Sequence, residues 1–212
     1  ITGTIGSNRV STVTNQQVRK YAWKGITALA ISPDGKLFAS AGNDGRVQLW
    51  DPANGRKLRS LSTHRSAVTG VAFSSDGKRL ISVGRDTEIH AYDAATGQLG
   101  QILQGHEHPI RTVAASPDGR FFASAGEETR IMLWDASTNK LSKIFNGHID
   151  FVNGLAFSSD GKLLASGGAD GRALIWDVGA GKLIRTLQGH SGAVNKVAFN
   201  PTGQLLASVG QD

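Results

Sequence analysis

His64, His106, His148 and His190 stand 42 residues apart, and each is followed at fixed distance by a serine and an acid. The sets are His64, Ser82 and Asp86; His106, Ser124 and Glu128; His148, Ser166 and Asp170; and His190, Ser208 and Asp212. Imidazole, hydroxyl and carboxylate are the parts of a hydrolytic triad, in which the histidine takes a proton from the nucleophile and the acid orients the ring. A triad is built once and faces a cleft, whereas this set recurs unit after unit. Repetition points to side chains that satisfy one another inside a scaffold, leaving a hydrolase as the distant alternative. The chain is therefore read as noncatalytic. Because each repeated histidine belongs to a different unit, the four are too far apart to share an ion, and no metal or other cofactor is expected. His90 and His108 fall outside the repeated position, and neither has a convincing catalytic companion in the sequence. Loops such as Ser74-Ser75-Asp76-Gly77-Lys78 lack the full calcium-loop pattern and the Walker Gly-Lys-Ser/Thr string, so tight-turn geometry accounts for them.

The elements that position these residues keep the same step. Trp50, Tyr92, Trp134 and Trp176 are each followed by aspartate, and Ser40 heads the serine series. A period of this length with such anchors marks a repeat architecture. In the first clear unit, residues 26–31 alternate as a half-buried strand and run into Ser32-Pro33-Asp34-Gly35-Lys36, a string of turn residues. Residues 37–40 are expected to return antiparallel, with 46–50 and 57–61 completing a four-stranded meander. Later units put first strands at 68–73, 110–115, 152–157 and 194–199, and second strands at 79–82, 121–124, 163–166 and 205–208. Third strands fall at 88–92, 130–134 and 172–176, and fourth strands at 98–103, 140–145 and 182–187. No segment has helical periodicity. Without crossover helices a parallel α/β fold is excluded, and an all-β, radially repeated antiparallel fold remains.

Gly147-His148, Ser166, Asp170 and Trp176-Asp177 resemble the WD-repeat (WD40) β-propeller family, and registered copies carry the resemblance over essentially the whole chain. It implies one domain of four-stranded blades over 1–212, with approximate repeats at 24–65, 66–107, 108–149 and 150–191 and a partial repeat at 192–212. Strands at 8–13 and 17–21, within 1–23, would complete the last blade and close a five-bladed ring; a fragment of a seven-bladed ring is the alternative. The resemblance also implies an intrablade hydrogen-bond network in which Asp170 accepts from His148, His148 contacts Ser166, and Ser166 reaches the Trp176 indole. Departures are visible: Tyr92 replaces the indole of its set, Glu128 is longer by a methylene, and Ala22 stands at the first histidine position, although Ser40, Asp44 and Trp50 remain.

In this family the face carrying the histidine loops commonly binds peptides or protein surfaces. Matching positions here are Thr27, Thr69, Arg111, Asn153 and Asn195, together with Asn43, Arg85, Glu127, Ala169 and Gln211. Phe151 is the clearest aromatic addition, read either as an apolar anchor beside Arg111 or as a core contact opening its strand. The expected function is a protein- or peptide-binding scaffold, with repeat-mediated self-association through the incomplete terminal blade as the alternative.

Composition narrows the remaining classes. The 27 glycines fit an array of hairpins, and a charged fraction of 19% is not that of a polyelectrolyte segment. The formal charge of +6 favours acidic partners at long range without placing a site. Nucleic acid is disfavoured, because aromatic interleaving and a groove-entering helix are both missing. Cysteine is absent, which removes disulfides and thiolate chemistry and leaves the compartment open, with the cytoplasm favoured over a secreted or periplasmic location. Apolar runs are too short to cross a bilayer, so membrane insertion is not expected. Ile1 in place of Met leads to the expectation of a trimmed chain or an excised fragment.

Overall fold

The computed structural model describes residues 25–62 and 64–212. The strands expected at 8–13 and 17–21, the closing-blade reading of 1–23 and Ala22 lie outside the described residues. β1 (Ile26–Ile31), β2 (Phe38–Gly42), β3 (Val47–Asp51) and β4 (Arg56–Leu61) form an antiparallel meander. β5 (Val68–Phe73), β6 (Arg79–Gly84), β7 (Ile89–Asp93) and β8 (Leu99–Leu103) repeat it. So do β9 (Ile110–Ala115), β10 (Phe121–Gly126), β11 (Arg130–Asp135) and β12 (Leu141–Asn146). β13 (Val152–Phe157), β14 (Leu163–Gly168), β15 (Ala173–Asp177) and β16 (Lys182–Leu187) make the fourth blade. A fifth, two-stranded sheet pairs β17 (Val194–Phe199) with β18 (Leu206–Gly210).

Local chemistry explains each reversal. In the β13–β14 turn, Ser158 Oγ donates to Asp160 Oδ1 at 2.7 Å and accepts the Leu163 amide at 2.9 Å, while Gly161 takes φ 71°. A residue with a Cβ rarely adopts that φ. The turn is thus held by its own serine and aspartate. Second strands run past the repeated serine to a glycine, two residues beyond the expected end, because Gly168 still pairs with Val152 across a bulge. A Cβ on Gly168 would lie 2.5 Å from His148 Nδ1, so the ring can lie over this strand end only where no side chain exists.

Sheets pack face to face with small residues on one side and large ones on the other. Ala39, Ala41, Val47, Leu49 and Leu61 of the first blade bury against Val68, Val71, Phe73, Leu80 and Tyr92 of the second. Full burial of each large aliphatic or aromatic side chain stabilises by about 1.5–3 kcal/mol. The innermost strands pack in the order β1, β5, β9, β13, β17, which makes the array radial. Among the described residues, Leu29 and Ile31 of the first blade are 53% and 59% exposed, and Leu205 and Val209 of the two-stranded sheet are 68% and 59% exposed. Among the described residues no helix is long and apolar enough to cross a membrane.

Candidate protein-binding face

The repeated polar residues meet inside each blade. In the fourth, Trp176 Nε1–H donates to Ser166 Oγ at 2.9 Å, Ser166 lies 2.7 Å from His148 Nε2, and His148 Nδ1 lies 2.9 Å from Asp170 Oδ2. An indole can only donate and a carboxylate can only accept, so the proton order runs from tryptophan through serine and histidine to aspartate. That assignment places the His148 proton on Nδ1. Asp170 also accepts from the Ile149 amide at 3.1 Å and from Arg172 Nη2 at 2.7 Å. Burial would raise the Asp170 pKa, but Arg172, the Ile149 amide and His148 outweigh it and hold the carboxyl below its ordinary range. Burial pushes the His148 ring down, against the pull of Asp170. Ser166 is fully buried, so its hydroxyl meets no substrate. The arrangement locks strands together and offers no nucleophile to solvent.

The other blades vary this theme. Trp134 donates to Ser124 at 2.8 Å and His106 Nε2 lies 2.6 Å from the same hydroxyl. The longer Glu128 still contacts His106 Nδ1 and takes Arg130 Nη2 at 2.7 Å with its other oxygen. In the first blade Trp50 donates to Ser40 at 2.8 Å, and Asp44 accepts the Arg46 amide at 3.2 Å. His190 bridges Ser208 and Asp212 at 2.8 and 2.7 Å.

The second blade departs from the others. His64 bridges Asp86 and Ser82 at 2.9 and 2.7 Å as expected, but the Tyr92 hydroxyl lies 3.3 Å from His90 Nδ1. His90 is fully buried, with Nε2 2.9 Å from Glu88 Oε2 and its ring stacked on His64 at 3.8 Å between centroids. The sequence reading found no convincing catalytic companion for His90; the structure places Glu88, Tyr92 and His64 around it. Alternate residues of an extended chain share a face, which brings Glu88, His90 and Tyr92 together. His64, Asp86 and His90 place donor atoms within 4.8 Å of one another. Imidazole lone pairs lie in the ring plane, however, and the His64 and His90 planes are only 12° apart, so their lone pairs do not converge on one ion.

The residues expected on the histidine-loop face divide into two groups. Thr27 Oγ1 donates to the Val68 carbonyl, Thr69 Oγ1 to the Ile110 carbonyl at 2.5 Å, and Asn153 Nδ2 to the Val194 carbonyl at 3.1 Å. Each thus ties one inner strand to the next. Arg111 continues the series through Asn153 Oδ1 at 2.8 Å and also donates to Glu127 Oε1 at 3.1 Å. Its guanidinium carbon sits 4.9 Å from the centre of the Phe151 ring. Arg85 approaches Glu127 from the other side at 3.6 Å. Asn43 and Gln211 are exposed, and Asn195 and Ala169 are half-buried.

Phe151 is 39% exposed and Ile149, two residues before it, is 79% exposed. The sequence reading did not single out Ile149, which stands where the second, third and fifth units carry Arg65, Glu107 and Ser191 and the first carries Trp23. Arg85, Glu127, Arg111 and Phe151 therefore form one connected strip with an apolar end extended by Ile149. Along the axis, a cavity of about 460 Å³ is lined by residues of all five inner strands, among them Thr69, Arg111, Leu155 and Lys196. On the opposite face Lys36 and Lys162 lie 3.7 and 3.9 Å from Asp34 and Asp160, so those turn lysines are partly neutralised.

The WD domain, G-beta repeat model matches residues 15–51, 55–93, 97–135, 139–177 and 181–212. Curated relatives include "Small ribosomal subunit protein RACK1z" of Arabidopsis thaliana, 54% identical over 39 residues, which are 18% of this chain and 12% of that protein. "Small ribosomal subunit protein RACK1" of Brassica napus matches to the same extent. RACK1z of Oryza sativa subsp. japonica is 56% identical over 36 residues, 17% of this chain and 11% of that protein. The matched stretch is about one repeat long and spans roughly an eighth of these relatives.

Proposed function

The chain belongs to the WD domain, G-beta repeat family, and from that premise we propose that it is a noncatalytic scaffold whose histidine-loop face binds a protein or peptide. The observation that carries this reading is the strip from Arg85 through Glu127 and Arg111 to Phe151 and Ile149. It combines an exposed isoleucine, a half-exposed aromatic ring and charged groups already fixed by neighbours, the composition of an interface hot spot. Arg111 uses its donors on Glu127 and Asn153, so it serves as the platform under Phe151 rather than as a free partner for a carboxylate. The histidine, serine and acid sets of the second, third and fourth blades satisfy one another in the interior, which supports the noncatalytic reading. The ribosomal names of the relatives support a cytoplasmic protein partner, and a ribosomal partner is the narrower form of that proposal.

Peptide-array binding by the native chain and by folded Arg111→Ala and Phe151→Ala variants tests the strip. Each substitution is expected to weaken a bound peptide by about 1–2 kcal/mol, a factor of roughly 5–30. Unchanged binding in both variants rejects the strip as the contact.

A second reading, self-association, is favoured by the uncovered end faces. Ile26 is 38% exposed, whereas Val68, Ile110, Val152 and Val194 at the same repeat position are 0% exposed. At the other end Val209 is 59% exposed, against 1% for Ala41 and 0% for Val83 and Ala125. Inside the molecule these positions are covered by the neighbouring blade, so the two faces are complementary halves of one interface. A second copy of this chain, packed head to tail, would join them. Light scattering is expected to show mass rising with concentration, and Val209→Asp is expected to suppress the rise. A constant monomer mass at high concentration counts against this reading.

A further inference from the structure

In the third and fourth blades an arginine, Arg130 or Arg172, grips the turn acid with Nη2 at 2.7 Å. Glu88 replaces that arginine in the second blade, and His90 stands where the neighbours have Gln48, Met132 and Leu174. Two changes on one face of β7 thus exchange a permanent cation for an ionisable ring. The ring is placed against a second one: His64 and His90 stack at 3.8 Å. Two hydrogen-bond relays run side by side. His64 Nε2 lies 2.7 Å from the Ser82 hydroxyl and its Nδ1 2.9 Å from Asp86; His90 Nδ1 lies 3.3 Å from the Tyr92 hydroxyl and its Nε2 2.9 Å from Glu88.

Two imidazolium rings at such a separation would repel strongly in a buried setting, so the pair accommodates at most one added proton. That proton has a structural cost. On His90 Nδ1 it turns the Tyr92 hydroxyl from donor to acceptor; on His64 Nε2 it removes the acceptor of the Ser82 hydroxyl. Among the described residues, the groups facing His90 include Glu88 and Tyr92 on its own strand side, His64 from the loop before β5, and Asp86 from the turn before β7. Across the sheet His90 pairs with Ser82 of β6 and Ile102 of β8, and the first blade presents Val47, Leu49 and Leu61 to this side of the blade. Among the described residues no arginine closes on Asp86: the Arg65 contact is through its backbone amide at 2.8 Å, and Arg85 is directed at Glu127.

We propose that the stacked His64–His90 pair is a one-proton switch that sets how firmly the turn 85–88, and with it Arg85, is held on the histidine-loop face. The consequence for binding rests on the function proposed above; the switch itself does not. Burial holds the His90 ring below its ordinary pKa of 6.5, against the pull of Glu88. A ring depressed in this way leaves the fold fully stable above about 6.5 and withdraws stability as pH falls from there towards the folded-state pKa, because the unfolded chain then binds the proton first. The loss is local, in the blade that carries the pair.

Hydrogen exchange on the full chain between pH 7.5 and 5.5, corrected for intrinsic rates, tests the switch without any partner. Protection of the amides of Asp86, Thr87 and Glu88 is expected to fall about tenfold in the native chain and to stay nearly constant in His90→Gln, which installs the residue of the first blade. Glu88→Arg, which restores the guanidinium of the third and fourth blades, is expected to flatten the response as well. Equal loss of protection in native and variant chains overturns the proposal. So does a stoichiometric rise in melting temperature with zinc that His90→Gln abolishes, since the cluster would then be a metal site. Failure of the peptide-array test leaves these exchange results unaffected, which separates the two readings.

Discussion

Trp176→Ala is expected to lower stability by about 3–5 kcal/mol, the range for truncating a buried aromatic side chain. Trp176 is 1% exposed, and its ring centre lies 5.4 Å from that of Phe145. Gly147 is packed so closely that a Cβ there would meet the indole at 2.7 Å. Removal of the ring opens a cavity against neighbours that belong to three separate strands or loops, so little can collapse into it. The indole donor to Ser166 disappears at the same time. Trp176→Phe separates the two losses: it retains most of the ring volume and is expected to cost about 1–2 kcal/mol for the hydrogen bond and the volume deficit. In thermal melts the alanine variant should fall by on the order of 10 °C, at roughly 2–4 °C per kcal/mol for a chain of this size. An unchanged melting curve for the alanine variant contradicts the scaffold role of the ring.

Asp170→Ala has the second large effect. The carboxylate side chain is 1% exposed and accepts from His148, the Ile149 amide and Arg172. Its loss strands a buried imidazole donor and a partly buried guanidinium. Breaking a buried charge pair by removing one partner costs about 3–5 kcal/mol. Urea unfolding at pH 7 should show this as a lower midpoint with little change in slope. The variant should also flatten the acid limb of the stability profile. Asp170 is held below its ordinary value of 3.8, so its stabilisation is present above that value and is lost as pH falls through the depressed one. His148, depressed by burial, acts in the same direction at higher pH: its contribution is full above 6.5 and falls away below it. Native unfolding midpoints should therefore decline in two acid steps, and the lower step should shrink in Asp170→Ala. A full-sized lower step in the variant would place that titration elsewhere.

The 42-residue period made the blades legible because turn chemistry and strand alternation recur in phase with it. Ser158, Asp160 and Gly161 specify their turn by contacts within five residues, which a sequence displays directly. Strand ends were less legible. The continuation of β14 to Gly168 depends on its pairing with Val152 across a bulge, at a glycine that leaves room for the ring of a histidine twenty residues earlier, and no local pattern reports either. Contacts on the histidine-loop face were the least legible. Thr27, Thr69 and Asn153 looked like variable rim residues, yet their hydrogen bonds go to carbonyls of the next inner strand, 41 residues on. A contact between repeats is invisible to a comparison of each repeat with itself. For the same reason the sequence set Phe151 beside Arg111 without showing the hydrogen bonds that Arg111 makes to Glu127 and Asn153.

Those links between inner strands have a direction, since each donor reaches forward along the chain. An array wired in this manner is modular in the arithmetic sense: a unit brings one donor for its successor and one acceptor for its predecessor, a backbone carbonyl at three junctions and the Asn153 side-chain oxygen at the fourth. Tandem duplication or deletion of a whole unit preserves the pairing at every junction it creates, whereas a change of one or two residues misaligns all of them. Growth by complete copies is thus the route by which such a chain can alter its circumference without redesigning a single joint.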